Sequence, residues 1–174
     1  EEELDNNYLL DCWFIEPLIL VLKQILKVNG LNDPYKGGLS SYGLLLMIVA
    51  FIQERKFDKV SIPNQINLGN ILLDFLHHYG ETFKLADYGI MCRRPGDFSE
   101  PANFYKITDT MIYQNFSKVP AIDDPLNPNN NVGKSTFQFQ DIQKIFQTGY
   151  KSAFLGCFCD CHFNKHASSS KREQ

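Results

Sequence analysis

The 174-residue sequence has no excess of positive charge and no long apolar run, and its first residues do not resemble a signal peptide. Its 17 basic and 20 acidic residues give a net charge of −3, which argues against a strongly basic nucleic-acid-binding surface unless a partner domain supplies the charge. No apolar run reaches the length of a membrane span, so no membrane contact is expected. The start Glu1-Glu2-Glu3 indicates a cut inside a longer protein or a solvated helix start.

The cysteines are odd in number, which favours free thiols over a set of disulfide bonds; they are Cys12, Cys92, Cys157, Cys159 and Cys161. We therefore expect an intracellular protein, nuclear or cytoplasmic, in a reducing compartment. Three of the cysteines alternate with other residues near His162 and His166, but the C-x-x-C spacing typical of zinc sites is absent. We expect residues 157–174 to form a polar tail that is partly disordered.

Apolar residues make up 44% of the chain, enough for one sizeable core, and they recur mostly at helical spacing. The pattern predicts helices over Asn7–Val28, Leu39–Glu54 and Asn67–Tyr79, and a fourth from Ser135 to about Leu155. Pro17 predicts a break near Phe14–Glu16. Asn67 is the expected cap of the third helix and Gly80 its stop. With short extended segments such as Phe83–Met91, the fold class is mainly α with a small β element.

The segment Asp123–Asn131 holds two prolines, four asparagines and two aspartates, which predicts a rigid polar loop. It precedes the fourth helix, for which Ser135 or Thr136 is the expected cap. Amide side chains offer both donor and acceptor and can read the edge of a base, although they can equally serve to stiffen a turn. The string Gly133-Lys134-Ser135-Thr136 resembles the end of a P-loop, but Pro128 stands where that motif needs a glycine.

Two further features suit an anion. Lys23 and Lys27 are one helical turn apart and share a face, which by spacing alone favours a solvated surface pair. Ser40, Ser41 and Tyr42 stand at the start of a helix, where hydroxyl groups act either as caps or as phosphate ligands.

Together these segments resemble the noncanonical poly(A) polymerases and terminal uridylyltransferases, which are template-independent RNA tailing enzymes. The resemblance rests on three motifs in the family's order, which are the Lys23/Lys27 pair, Gly37-Gly38-Leu39-Ser40-Ser41-Tyr42-Gly43 and DPLNPNNNVGKSTF. It covers most of the chain and implies that residues 1–156 form the family's helical central (PAP-associated) domain.

The resemblance also implies roles for individual residues. Lys23, Lys27 and Ser41 would hold the triphosphate of a nucleotide and Tyr42 would stack on its base. The base edge would be lined by Asp124, Asn127 and Asn130, and Asn6 or Asn7 would touch the ribose. The uridylyltransferases have a histidine where Asn130 stands, and asparagine leaves room for adenine, so ATP is expected in preference to UTP.

The family's catalytic carboxylates, a D-x-D pair and a third Asp that hold Mg²⁺ or Mn²⁺, are not found in this sequence. We therefore expect them in a catalytic domain outside this chain, which would be inactive alone while the parent protein adds AMP to an RNA 3′ end. Two alternatives remain at this stage. One is a UTP-using relative, and the other is a non-catalytic module that binds a protein partner through exposed apolar helices.

Overall fold

A computed structural model describes residues 14–55, 67–92, 104–107 and 119–154 of the chain. In these ranges it has four α-helices, which are α1 (Ile15–Val28), α2 (Ser41–Glu54), α3 (Leu68–His77) and α4 (Phe139–Phe154). Four short strands accompany them, which are β1 (Tyr88–Ile90), β2 (Phe104–Lys106), β3 (Asp123–Asp124) and β4 (Asn127–Asn131). The predicted fold class, mainly α with a small β element, is confirmed. None of the helices in these ranges is both long and apolar enough to cross a membrane.

Helix α1 begins at Ile15, so the break predicted near Phe14–Glu16 marks the start of a helix. Pro17 lies in its first turn, where a missing N–H costs no intrahelical hydrogen bond. The inner face of α1 buries Leu18, Leu22 and Leu26. The predicted helical residues before Phe14 lie outside the described ranges.

Helix α2 is the centre of the core, and its apolar residues are buried nearly all round the helix. It begins two residues later than predicted because Ser40 is its N-cap, with its Oγ accepting the N–H of Gly43 at 2.9 Å. A serine cap of this kind stabilises a helix by about 1 kcal/mol. The start of α2 is therefore fixed beside α1.

Helix α3 is capped as predicted, since Asn67 Oδ1 accepts the N–H groups of Gly69 and Asn70. The prediction that Gly80 stops this helix is wrong, because the chain continues through a π-helical turn, His78–Thr82. Helix α4 crosses at that turn, and a Cβ on Gly80 would lie 2.5 Å from the backbone nitrogen of Gln147. Gly80 therefore permits close packing of two backbones.

His78 lies in the π-helical turn among aromatic rings, 4.7 Å from the ring of Phe104 and 4.7 Å from that of Tyr79. Its Nε2 is buried, and none of the described residues forms a hydrogen bond with it. Burial, followed by the nearby charges of Arg55 and His77, lowers the pKa of His78 to about 4. His78 is thus a packing residue.

We expect His78→Phe to reduce the loss of stability on acidification. The unfolded chain binds a proton at His78 below about pH 6.5, whereas the folded protein does so only near pH 4, so stability falls as pH drops through this interval. The free energy of unfolding in urea, measured at pH 7 and pH 4.5, checks this. His77→Gln serves as the control, and an equal pH dependence in His78→Phe and the unmodified protein would contradict the assignment.

The strands form two antiparallel pairs, β1 with β2 and β3 with β4. Within the predicted extended segment Phe83–Met91, only β1 is a strand. The segment predicted as a rigid loop, Asp123–Asn131, is instead a hairpin in which Asp124 lies opposite Asn127. An isolated parallel bridge between Ile90 and Ile122 connects the two pairs. The hairpin is therefore attached to the core at its base.

Helix α4 begins at Phe139, so the predicted capping by Ser135 or Thr136 is wrong. Residues Val132–Ser135 form a 3₁₀ turn, and Thr136 is buried. The N–H of Gln138 donates to the carbonyl of Gly37 at 3.0 Å, which holds the chain against the loop that precedes α2. This tertiary contact delays the helix until Phe139, whose side chain is fully buried.

Candidate functional site

A cleft of about 230 Å³ lies between α1 and the start of α2. Both predicted lysines and the predicted serine are among its lining residues, which are Leu20, Lys23, Gln24, Leu26, Lys27, Asn32, Leu39, Ser40, Ser41 and Leu44. Helix α1 places the lysines because they are one turn apart on the face beside the α2 N-terminus. The structure thus brings Lys23, Lys27 and Ser41 to one site.

The chemistry of the cleft suits an anion. Two lysines line it and none of its lining residues is acidic, so its lining carries positive charge in a chain whose net charge is −3. The N-terminus of α2 adds its partial positive charge, and the N–H groups of Ser41 and Tyr42 have no acceptor within the helix. Since Ser40 is the cap, the hydroxyl of Ser41 is not required for that purpose.

Tyr42, the second residue of α2, connects the cleft to the β3–β4 hairpin. Its hydroxyl donates to Oδ1 of Asp124 at 2.9 Å, across 82 positions of sequence. Asn130 Nδ2 donates to Oδ2 of the same carboxylate at 3.0 Å. Three residues predicted for base recognition therefore form one hydrogen-bonded group, which we call the Tyr42–Asp124–Asn130 triad. The side chain of Tyr42 is 38% exposed, so its ring remains available to a ligand.

The pKa shifts of Asp124 and Tyr42 favour the protonation states that their hydrogen bond needs. The amide of Asn130, followed by the N–H of Leu126, holds the pKa of Asp124 below its usual value. Burial, followed by the hydrogen bond to Asp124, raises the pKa of Tyr42. At neutral pH Asp124 is therefore a carboxylate that only accepts hydrogen bonds, and Tyr42 is a phenol that donates one.

The remaining predicted residues contribute less to this geometry. Asn127 is exposed, and its Oδ1 accepts the N–H of Asn129 at 3.3 Å. Asn127 is the first residue of β4, opposite Asp124 in register. Asn6 and Asn7, predicted to touch a ribose, lie outside the described residues.

Sequence reasoning missed three polar residues of this region. Gln24 and Asn32 line the cleft with the lysines. Gln24 stands at i, i+3 to Lys27, so helical spacing could have found it. Asn131 Oδ1 accepts the N–H groups of Ile122 and Gly133, which closes the base of the hairpin. No sequence signal separates Asn131 from Asn129 and Asn130, which precede it.

The P-loop-like string has a structural explanation. Gly133, Lys134 and Ser135 lie in the 3₁₀ turn after β4, and a Cβ on Gly133 would lie 2.2 Å from the carbonyl oxygen of Pro120. Glycine is thus required for packing and not for phosphate. In the part of the chain that the structure describes, no three His, Cys, Asp or Glu residues are placed to hold a metal ion. The cysteines from Cys157 onward lie outside that part.

The family model described as Cid1 family poly A polymerase matches residues 67–130. The inactive non-canonical poly(A) RNA polymerase protein Trf4-2 of Drosophila melanogaster is 32% identical over 79% of this chain and 32% of its own length. The poly(A) RNA polymerase gld-4 of Caenorhabditis elegans is 36% identical over 79% of this chain and 16% of its own. The chain therefore spans about a third or less of these relatives.

Two solved structures share the fold. The polymerase core of TRAMP, an RNA surveillance complex, superposes with a TM-score of 0.64 at 24% identity, over 85% of this chain and 45% of that one. The Cid1 poly(U) polymerase superposes with a TM-score of 0.61 at 20% identity, over 81% of this chain and 52% of that one. Family model, sequence relatives and fold agree, and the chain belongs to the noncanonical poly(A) polymerase family, in the region that carries its PAP-associated domain.

Proposed function

We propose that this chain is the central, nucleotide-recognition domain of a longer RNA 3′-end nucleotidyltransferase that adds AMP from ATP without a template. The observation that carries the proposal is the position of the cleft lined by Lys23, Lys27 and Ser41, which adjoins an exposed tyrosine at the start of α2. Lys23, Lys27 and Ser41 would bind the triphosphate. Tyr42 would stack on the base, because an aromatic ring can stack on any base.

Catalysis would need a second domain of the same protein. Nucleotidyl transfer uses carboxylates that hold two divalent ions, Mg²⁺ or Mn²⁺, and the described residues offer no such set. The matched relatives are long enough to include another domain, since this chain spans 32% and 16% of the two named above. We infer that the metal ions, the RNA 3′ end and the nucleotide meet between that domain and this one, inside the cell.

The first test is primer extension by the full-length protein with a short RNA, Mg²⁺ and each of the four nucleoside triphosphates separately. Extension with ATP supports the proposal. Extension with UTP alone would mean that the family assignment holds and the base preference does not. The isolated chain, run beside the full-length protein, should give no product.

Asn130→His is expected to shift the preference from ATP toward UTP. The imidazole is larger than the amide and narrows the space at the base edge, which favours a pyrimidine. We expect the ATP-to-UTP ratio of kcat/KM to fall by about tenfold or more, as for the loss of one good base contact. Asn129→His, in the same hairpin, is the control, and an unchanged ratio in Asn130→His would contradict the role of position 130.

A second candidate is a non-catalytic module that binds a partner protein. The relative from Drosophila favours it, because that protein is named inactive and is 32% identical to this chain. Under this hypothesis a folded full-length protein would extend the primer with none of the four nucleotides. A full-length sequence without the metal-binding carboxylates would support the same conclusion.

A further inference from the structure

Asp124 has both carboxylate oxygens engaged within the protein. Oδ1 accepts the Tyr42 hydroxyl at 2.9 Å and the N–H of Leu126 at 3.0 Å, and Oδ2 accepts Asn130 Nδ2 at 3.0 Å. These donors come from α2, the hairpin turn and β4, so the carboxylate connects three segments. A group used in this way has little capacity left to bind a base directly.

We propose that Asp124 is a positioning residue that sets base preference by fixing the amide orientation of Asn130, and that supports stacking on any base by fixing the ring plane of Tyr42. This inference rests on the proposed function, because it concerns the same nucleotide site. It changes the role expected of Asp124, from reading the base edge to organising the residues that read it.

The orientation of the Asn130 amide follows from hydrogen-bond chemistry. An ionised carboxylate can only accept hydrogen bonds, so the amide must direct Nδ2 toward Asp124. Oδ1 of Asn130 is then the amide atom left to accept from a ligand. The exocyclic amino group of adenine donates to such an acceptor, and asparagine is a side chain that pairs with adenine through both of its amide groups.

The same orientation discriminates against other bases. Uracil carries a carbonyl oxygen where cytosine carries an amino group. Guanine likewise carries a carbonyl oxygen where adenine carries an amino group. Two acceptors that face each other leave both unpaired, which is costly in a desolvated site. The preferred substrate class is therefore a nucleotide whose base presents an amino group, which is ATP and, where the smaller ring reaches Asn130, CTP.

The tyrosine hydroxyl has a separate consequence. Because the Tyr42 hydroxyl is hydrogen-bonded to Asp124, the side chain cannot rotate freely about its Cα–Cβ bond. The ring is therefore held in one plane before the ligand binds. Fixing a stacking surface in advance reduces the entropy lost on binding. This effect should strengthen the binding of all four nucleotides, whereas the effect through Asn130 should depend on the base.

The test is Asp124→Asn in the full-length protein. The new amide can keep its oxygen toward Tyr42 and Leu126, but its NH₂ group then faces the NH₂ group of Asn130. Asn130 must turn over, and it presents a donor in place of an acceptor. We expect the ratio of ATP to UTP affinity to fall by about tenfold or more. Asp123→Asn makes the same change of charge one residue away on β3 and should leave the ratio unchanged.

Affinity should be measured with nonhydrolysable ATP and UTP analogues and without RNA, beside primer extension. Analogue binding tests the positioning role of Asp124, and primer extension tests the proposed function. A protein that binds the analogues but does not extend the primer would therefore contradict only the proposed function. An unchanged affinity ratio in Asp124→Asn would overturn the positioning role. An equal loss of affinity for every nucleotide in Asp124→Asn would also overturn the positioning role, because it would indicate a structural role alone. The absence of nucleotide binding by the unmodified protein would overturn it as well.

Tyr42→Phe gives a second measurement, since it keeps the ring and removes only the hydroxyl. We expect it to weaken both analogues by a similar factor and to leave the ATP-to-UTP ratio intact. Asp124→Ala removes the acceptor of that hydroxyl, so in the double variant Tyr42→Phe/Asp124→Ala the loss common to both nucleotides should be smaller than the sum of the two single losses. Additive losses would show that the two residues act independently, which contradicts the proposal.

Discussion

The double substitution Lys23→Ala and Lys27→Ala should lower kcat/KM for ATP by at least about a hundredfold in the full-length protein. Both ammonium groups line the cleft where we place the triphosphate. A hydrogen bond to a charged group contributes about 1.5–3 kcal/mol, so two of them together exceed about 3 kcal/mol, which corresponds to a hundredfold change or more. Because this binding does not involve the base, the same factor should apply to all four nucleotides.

The matched control removes two lysines from another helix. Lys144→Ala with Lys151→Ala makes the same change in net charge on α4, where the side chains pair with Asp141 and Glu81 at the surface. Exposed pairs of this kind contribute little to stability, so activity should be nearly unchanged. Equal losses in the two double variants would mean that general charge, and not the cleft, attracts the nucleotide.

Gly80→Ala should cause a large loss of stability through the addition of one methyl group. Its Cβ would lie 2.5 Å from the nitrogen of Gln147 and 2.9 Å from its Cα, and both are backbone atoms that move only if α4 moves. Overpacking of a rigid site costs about 1–3 kcal/mol and occasionally more. We expect a loss of about 3 kcal/mol in the free energy of unfolding, measured by denaturation in urea.

Gly149→Ala is the matched control on the other side of the same helix pair. Its Cβ would lie 3.4 Å from Leu76 Cδ1, which is an ordinary contact with a side chain. Since alanine favours a helix over glycine by about 1 kcal/mol, this variant should be as stable as the unmodified protein or slightly more stable. Similar losses at Gly80 and Gly149 would show that the helices are less closely packed than the structure indicates.

The helices and the two lysines of the cleft were predictable because their signals are local. Lys23 and Lys27 share a face through helical spacing alone, and Asn67 is a cap recognisable from its position before an apolar run. The three motifs of the resemblance then assigned the residues of α1 and α2 and those of the hairpin to one predicted site. Neither kind of signal depends on knowing how distant segments pack.

The errors arose where tertiary contacts override local preference. Gly80 resembles a helix stop, but it is needed because α4 passes against it. Ser135 and Thr136 resemble helix caps, but the bond from Gln138 to Gly37 holds that segment in another conformation. The asparagine-rich segment resembles a loop, and pairing of Asp123 with Asn131 makes it a hairpin. In the first two cases the deciding partner is remote in sequence, and in the third it lies at the other end of the same segment.

The distance in sequence between Tyr42 and Asp124 also sets the order in which the site can be assembled during synthesis. Helices α1 and α2, with the cleft in which we place the triphosphate, have left the ribosome while the hairpin that holds Asp124 and Asn130 is still to be translated. Under the proposed function, a nascent chain can therefore acquire affinity for phosphate before it can discriminate among bases. In the mature protein, an opening confined to the hairpin would then remove base selectivity and leave the cleft intact.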